Sequence, residues 1–111
     1  MNIKQYEIYL ANLSPAKGTE SGKTRPVVII QTNLLNGEHP STIICPISTN
    51  VQMGASALRI HLTIEETKNK SDILVDQIRA IDNRRLISKI GMLTKIQQLE
   101  LRQNIKILLD L

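Results

Sequence analysis

The sequence predicts a mainly β chain, a small barrel of five or six short strands closed by one C-terminal helix. Three observations predict it. Short apolar runs recur between turn signals rich in Gly, Pro, Asn and Ser, the spacing expected of an all-β barrel. Residues 58 to 64 alternate without error, with Leu58, Ile60, Leu62 and Ile64 on one face and Arg59, His61 and Thr63 on the other. That is the period of a half-buried strand. From Thr94 onward the period becomes helical, behind a capping signal.

Taken in order, residues 7 to 12 are apolar with partial alternation and predict a first strand. Ser14-Pro15 opens a long polar loop that carries Lys17, Glu20, Lys23 and Arg25. The loop runs without a spacer into Pro26–Ile30, apolar throughout, so this second strand should be covered on both faces. Pro26 biases Arg25 towards an extended backbone, so Arg25 should begin the strand. Residues 32 to 41 hold Asn-Gly and Pro punctuation and predict a loop. A third strand follows at 42 to 47, where Pro46 lacks a ladder donor and predicts an edge position or a bend.

Residues 51 to 57 predict a loop around Gly54, and 58 to 64 the fourth strand. A charged turn runs from Glu65 to Lys70, and a fifth strand is expected over 72 to 79, with Asp76 and Gln77 interrupting its apolar residues. Asp82 starts a short helical turn over 82 to 86, and 88 to 92 make a last strand. Thr94 and Gln97 form a capping box for the terminal helix. Leu101, Ile105 and Leu108 share one helical face, and Ile96, Leu99 and Ile107 another. One stripe packs on the barrel. The second is also expected to pack within the core, the alternative being a neighbouring element or a second subunit.

At 111 residues, one domain spanning 1–111 is expected. Fourteen Lys and Arg against 10 Asp and Glu give a net charge of +4, which favours a polyanion or an acidic protein segment as partner. The lone Cys45 excludes an internal disulfide and reads as a small buried hydrophobe. Residues 1 to 15 lack the apolar core of a signal peptide, and no apolar run is long enough to span a bilayer, so a cytoplasmic protein without a membrane partner is expected. Tyr6 and Tyr9 are the only aromatics. Stacking of bases on rings is therefore scarce, and any RNA would be held by hydrogen bonds and charge.

Metal ligation is not expected, because His39 and His61 lie far apart without neighbouring Cys. Gly22-Lys23-Thr24 ends like a phosphate-binding loop, but that motif needs glycine where Lys17 stands. What remains is a set of polar residues at strand ends: Glu20, Arg25, Ser48, Thr49, Asp76 and Gln77. Metal-free RNA cleavage needs few parts: a base for the ribose 2′-hydroxyl, a cation for the crowded phosphate and an acid for the departing oxygen. Arg25 can be the cation, since its planar fork matches phosphate and stays protonated. Ser48 can hydrogen-bond a phosphoryl oxygen, and Glu20 or Asp76 could take a proton.

Five segments in order carry a resemblance. They are Ile8–Pro15, Lys17–Glu20 and Thr24–Gln31, then Cys45–Thr49 and Asp76–Asp82, completed by Lys89-Ile90-Gly91 and the terminal helix. Over nearly its whole length the chain resembles the MazF/PemK family of toxin endoribonucleases from type II toxin–antitoxin systems. The resemblance implies an SH3-like barrel of five to seven strands with a C-terminal helix, assembled as a homodimer. It implies ribosome-independent, metal-free and cofactor-free cleavage of single-stranded mRNA at short sequences, leaving a 2′,3′-cyclic phosphate and a 5′-hydroxyl. A cognate antitoxin would neutralise it with a disordered acidic tail. Arg25 and Ser48 would be catalytic, with Ser48 standing where many members have Thr. Glu20 and Asp76 match family acidic residues, and Asp76 matches a base proposed in some members. Lys17, Thr19, Ser21, Lys23, Thr49 and Gln77 would bind RNA.

Two departures stand out. Tyr6 replaces the Gly that usually precedes the first strand, and the turn at 65 to 71 is short. A histidine and a second arginine found in one member's cleft correspond to Thr19 and Leu74, which favours Arg25 with Ser48 over a mechanism centred on Asp76. Two other readings share the composition. A gyrase poison of the CcdB type would use this barrel, but such proteins typically end in Trp-Gly-Ile and this chain ends Leu108-Leu109-Asp110-Leu111. A non-catalytic RNA-binding barrel is permitted by the charge and weakened by the missing aromatics.

Overall fold

A computed structural model describes residues 2–14, 23–50, 58–64 and 69–111, with the backbone alone at 63, 64 and 69. Seven strands and one α-helix follow in the order β1 Glu7–Asn12, β2 Thr24–Ile29, β3 Ser41–Ser48, β4 Arg59–Ile64, β5 Asn69–Leu74, β6 Arg79–Asp82, β7 Leu86–Met92 and α1 Lys95–Leu109. All strand pairings are antiparallel. The path runs β4-β5-β3-β2-β1-β7, with β6 also paired to β3. The mainly β fold with a terminal helix is as expected, but no pairing among the described residues joins β4 to β7, so the curled sheet is not closed into a barrel.

Alternation along the central strands feeds two apolar clusters. Val27 and Ile29 enter one, with Tyr9, Ala11, Leu13, Ile44, Ile81 and Leu86. Val28 enters the other, with Cys45, Ile47, Ile60, Leu62, Ile73, Val75 and Leu101. The second strand is thus buried on both faces, as its unbroken apolar run requires. Cys45 is fully buried, and burial, with a smaller contribution from the Asp76 carboxylate, pushes its thiol up to about 12.

One strand expectation narrows and another changes. β3 is not an edge strand, since it pairs with β2, β5 and β6. Instead it changes partner, from β6 over Ser41–Ile44 to β5 at Ile47 and Ser48, and Pro46 falls at the change. The strand expected over 72 to 79 is broken. β5 begins earlier, at Asn69, inside the expected turn, and stops at Leu74. A 3-10 turn, Val75–Gln77, intervenes before β6. The break is hidden in the sequence because Ile73, Leu74 and Val75 stay buried through it. The expected turn after Asp82 is a 3-10 turn, Asn83–Arg85, whose first free amide, that of Arg84, donates to Asp82 Oδ1. The expected loop at 51 to 57 lies outside the described residues.

Helix α1 starts on the expected capping box: Gln97 N donates to Thr94 Oγ1, and Thr94 N donates to Gln97 Oε1. Leu101 is fully buried, and Ile105 and Leu108 pack beside it against the cluster that contains Ile60 and Ile73. The second stripe is not taken into the core, for Ile96, Leu99 and Ile107 are exposed. Tyr6 takes a left-handed backbone with φ 71°, which costs a residue with a Cβ roughly 1–2 kcal/mol. The junction is tied on three sides. Tyr6 N donates to Ile29 O at 2.6 Å, Leu93 N donates to Tyr6 O, and Arg102 Nη1 donates to the Tyr6 hydroxyl.

Candidate active site

Antiparallel partners present their side chains on one face, and this brings the central candidates into a row. Ala11 of β1 pairs with Arg25 of β2. Val27 pairs with Pro46, and the residues two further along, Arg25 and Ser48, fall on that same side of the sheet. Ser48 in turn pairs with Asp72 of β5, and Asp72 pairs with His61 of β4. Ile47, Ile60 and Ile73 point the other way into the core. The row therefore emerges on the opposite face, where polar side chains replace apolar ones beyond Ala11 and Val27.

Ser48 is nearly buried, at 9% exposure, and its hydroxyl oxygen accepts from Asn50 N at 3.1 Å. That bond uses an oxygen lone pair and leaves the hydroxyl hydrogen to donate. Arg25 is half-buried, and Thr49 and Asn50 are exposed just beyond Ser48. The Asp72 side chain is fully buried. Its Oδ2 accepts from Arg59 Nη1 at 3.0 Å, and its Oδ1 lies 2.5 Å from His61 Nδ1. Arg59 Nη1 also donates to Asn50 O at 3.2 Å, tying β4 to the segment after Ser48.

Residues 12–14 and 23, which flank 15–22 in the sequence, are tied into a neck. Leu13 N donates to Lys23 O at 2.8 Å, and Lys23 N donates to Ser14 Oγ at 2.9 Å. Arg85 clamps the neck from the end of the Asn83–Arg85 turn, with Nη1 donating to the carbonyls of Asn12 at 3.0 Å and Ser14 at 2.7 Å. Lys23 adopts a left-handed φ of 64° at the exit. The candidates Lys17, Thr19, Glu20 and Ser21 lie outside the described residues.

Asp76 and Gln77 sit on the Val75–Gln77 turn, Asp76 exposed and Gln77 half-buried. This turn lies between β5 and β6, which pair with β3 on either side of Cys45 and Pro46. It is therefore set along β3 from the Ser48 end. Among the described residues, no three His, Cys, Asp or Glu gather where they could hold a metal ion. No described helix is long and apolar enough to cross a membrane.

Asp72, Arg59 and His61 are not among the site candidates read from the sequence. The His61 side chain is 45% exposed, yet it is bound to a buried carboxylate. The signal was present in part: the alternation of 58–64 puts Arg59 and His61 on one face, and the antiparallel pairing of β4 with β5 places Asp72 opposite His61.

A profile of one protein family, described as "PemK-like, MazF-like toxin of type II toxin-antitoxin system", matches residues 4–109. The chain is 36% identical over 113 residues to "Endoribonuclease MazF" of Staphylococcus epidermidis, covering 98% of this chain and 92% of that protein. The same identity and coverage hold for "Endoribonuclease MazF" of Staphylococcus saprophyticus. In fold the chain matches the crystal structure of MazF from Deinococcus radiodurans, with a TM-score of 0.87 at 20% identity, covering 100% of this chain and 99% of that one. It also matches a chain of the MazE-MazF structure from the same organism, with a TM-score of 0.81 at 19% identity, covering 100% and 98%.

Proposed function

Because this chain belongs to the PemK-like, MazF-like toxins of type II toxin–antitoxin systems, we propose that it is the endoribonuclease of such a pair, cutting single-stranded mRNA without a metal ion or a ribosome. Two relatives at 36% identity over nearly the full chain bear the name endoribonuclease. The observation that carries the chemistry is the common face of Arg25 and Ser48.

The ribose 2′-hydroxyl attacks the adjacent phosphorus, and the 5′-oxygen of the next nucleotide departs. The products are a 2′,3′-cyclic phosphate and a 5′-hydroxyl. Arg25 stabilises the added charge on the phosphoryl oxygens through its planar fork. The Ser48 hydroxyl, already anchored on its acceptor side by Asn50 N, donates to a second phosphoryl oxygen. Glu20 or Asp76 takes the 2′-hydroxyl proton, and solvent water gives one to the departing 5′-oxygen, so the transfer is proton-neutral overall. Lys17, Thr19, Ser21, Lys23, Thr49 and Gln77 bind the RNA strand.

The protein acts as a homodimer in the cytoplasm and is silenced by an antitoxin whose disordered acidic tail lies in the RNA groove. A MazE-MazF structure among the fold's neighbours supports a partner of that kind.

The test is incubation with a long mixed-sequence RNA in chelator, followed by mapping of the new ends. Cyclic phosphates and 5′-hydroxyls at one short sequence are expected, and Arg25→Ala should abolish them while its circular dichroism stays unchanged. A correctly folded Arg25→Ala that still cuts overturns the assignment.

A further inference from the structure

The Asp72 cluster has no part in the reaction above. A carboxylate taken fully out of water needs both oxygens satisfied, and Arg59 and His61 do so. Buried ionic groups of this kind are often replaceable by apolar residues of similar volume without loss of stability. The arrangement instead fixes two polar groups at the surface of the same face as Ser48, on the strand beyond Asp72.

Their hydrogen-bonding characters differ. Asp72 can only accept, so the proton of the His61 ring lies on Nδ1, and in the neutral imidazole Nε2 is left as an acceptor. The ring is 45% exposed, with its Nδ1 edge turned to the buried carboxylate. The Arg59 guanidinium donates only, and both of its bonds to Asp72 and Asn50 leave from Nη1. Arg59 and His61 are two residues apart on β4 and so lie side by side. An acceptor next to a charged donor fork is complementary to one ribose–phosphate unit. The sugar 2′-hydroxyl donates to Nε2 and the phosphate accepts from the guanidinium.

We propose that Arg59 and His61, held by the buried Asp72, form a ribonucleotide subsite. It recognises the 2′-hydroxyl and phosphate of a nucleotide neighbouring the one that is cut. His61 stands two strand spacings from Ser48, about 10 Å, which is too far for the same sugar. A 2′-hydroxyl is the group by which a protein distinguishes RNA from DNA at a given position, so this subsite adds RNA selectivity away from the attacking hydroxyl. The inference rests on the endoribonuclease reading.

The experiment is a binding scan with a synthetic RNA containing the mapped cleavage sequence, made uncleavable by a 2′-deoxy sugar at the cut. Single 2′-deoxy substitutions are then walked along the remaining nucleotides. In the parent protein one neighbouring position should weaken binding by about 2- to 12-fold, the net worth of one hydrogen bond. In His61→Leu that position should become indifferent to the sugar while the others respond as before. Arg59→Gln should lower the slope of log affinity against log salt by about 0.7, the value of one phosphate contact on a single strand.

Asp72→Asn should weaken both effects without abolishing folding as judged by circular dichroism. A position-specific deoxy penalty that survives in His61→Leu overturns the proposal, as does an unchanged salt slope in Arg59→Gln. Failure of the parent protein to cut all-ribose RNA would refute the endoribonuclease reading instead, and is seen before the scan begins.

Discussion

Replacing Ser48 with alanine separates structure from chemistry at the proposed centre. The Ser48 oxygen accepts one hydrogen bond, from Asn50 N, and losing it costs about 1 kcal/mol of folding free energy. A domain of ordinary stability, about 5–15 kcal/mol, stays folded after such a loss. The hydroxyl hydrogen is what the reaction loses. Removing one donor aimed at developing phosphoryl charge costs about 3 kcal/mol, or 100- to 1,000-fold in rate. Ser48→Thr keeps the hydroxyl and should retain activity, with about 1 kcal/mol lost to packing an extra methyl at a nearly buried position. Single-turnover cleavage of a fluorogenic RNA in chelator, with urea melts of the same samples, measures both quantities. A folded Ser48→Ala that cuts within about threefold of the parent would remove Ser48 from the mechanism.

Three further outcomes follow from the fold. Leu101→Ala empties the one fully buried position of α1 and should cost about 3–5 kcal/mol in urea unfolding; a loss below about 1 kcal/mol would mean that the helix does not dock as described. The Arg84 guanidinium holds the Asp82 carboxyl down, from 3.8 to about 2. A lowered carboxyl stabilises the fold above its unfolded value and stops doing so as pH falls through its folded value. The stability gap between parent and Asp82→Asn should therefore be present near neutrality and close as pH falls from 3.8 towards about 2; a gap that widens there contradicts the pairing. Cys45, buried with its thiol raised to about 12, should resist iodoacetamide in mildly alkaline buffer until denaturant is added; prompt labelling of the native protein would contradict that burial.

Much of the scaffold was legible because single stretches carried complete signals. The error-free alternation of 58–64 gave β4 and its buried face, and the Thr94–Gln97 box gave the start of α1. The unbroken run after Arg25 implied a strand covered on both sides, and Val27, Val28 and Ile29 confirm it. What stayed hidden depended on pairing. The break at Val75–Gln77 left the apolar pattern intact, and Pro46 fitted an edge or a bend equally well until the three partners of β3 were placed. Ser48, Asp72 and His61 are distant in sequence and meet only through two strand registers. His61 therefore reads only as one residue of a strand face, and Asp72 as the first residue of a strand. The second stripe of α1 was legible as apolar, but a single chain's pattern could not tell core from exposed surface.

The left-handed bend at Tyr6 links the two ends of the polypeptide. A glycine there would relax the local geometry and, at the same time, release the arginine of α1 that reaches back to the phenol. Opening motions of the first strand and of the last helix should therefore occur together, as one cooperative unit in hydrogen exchange rather than as two independently fraying ends.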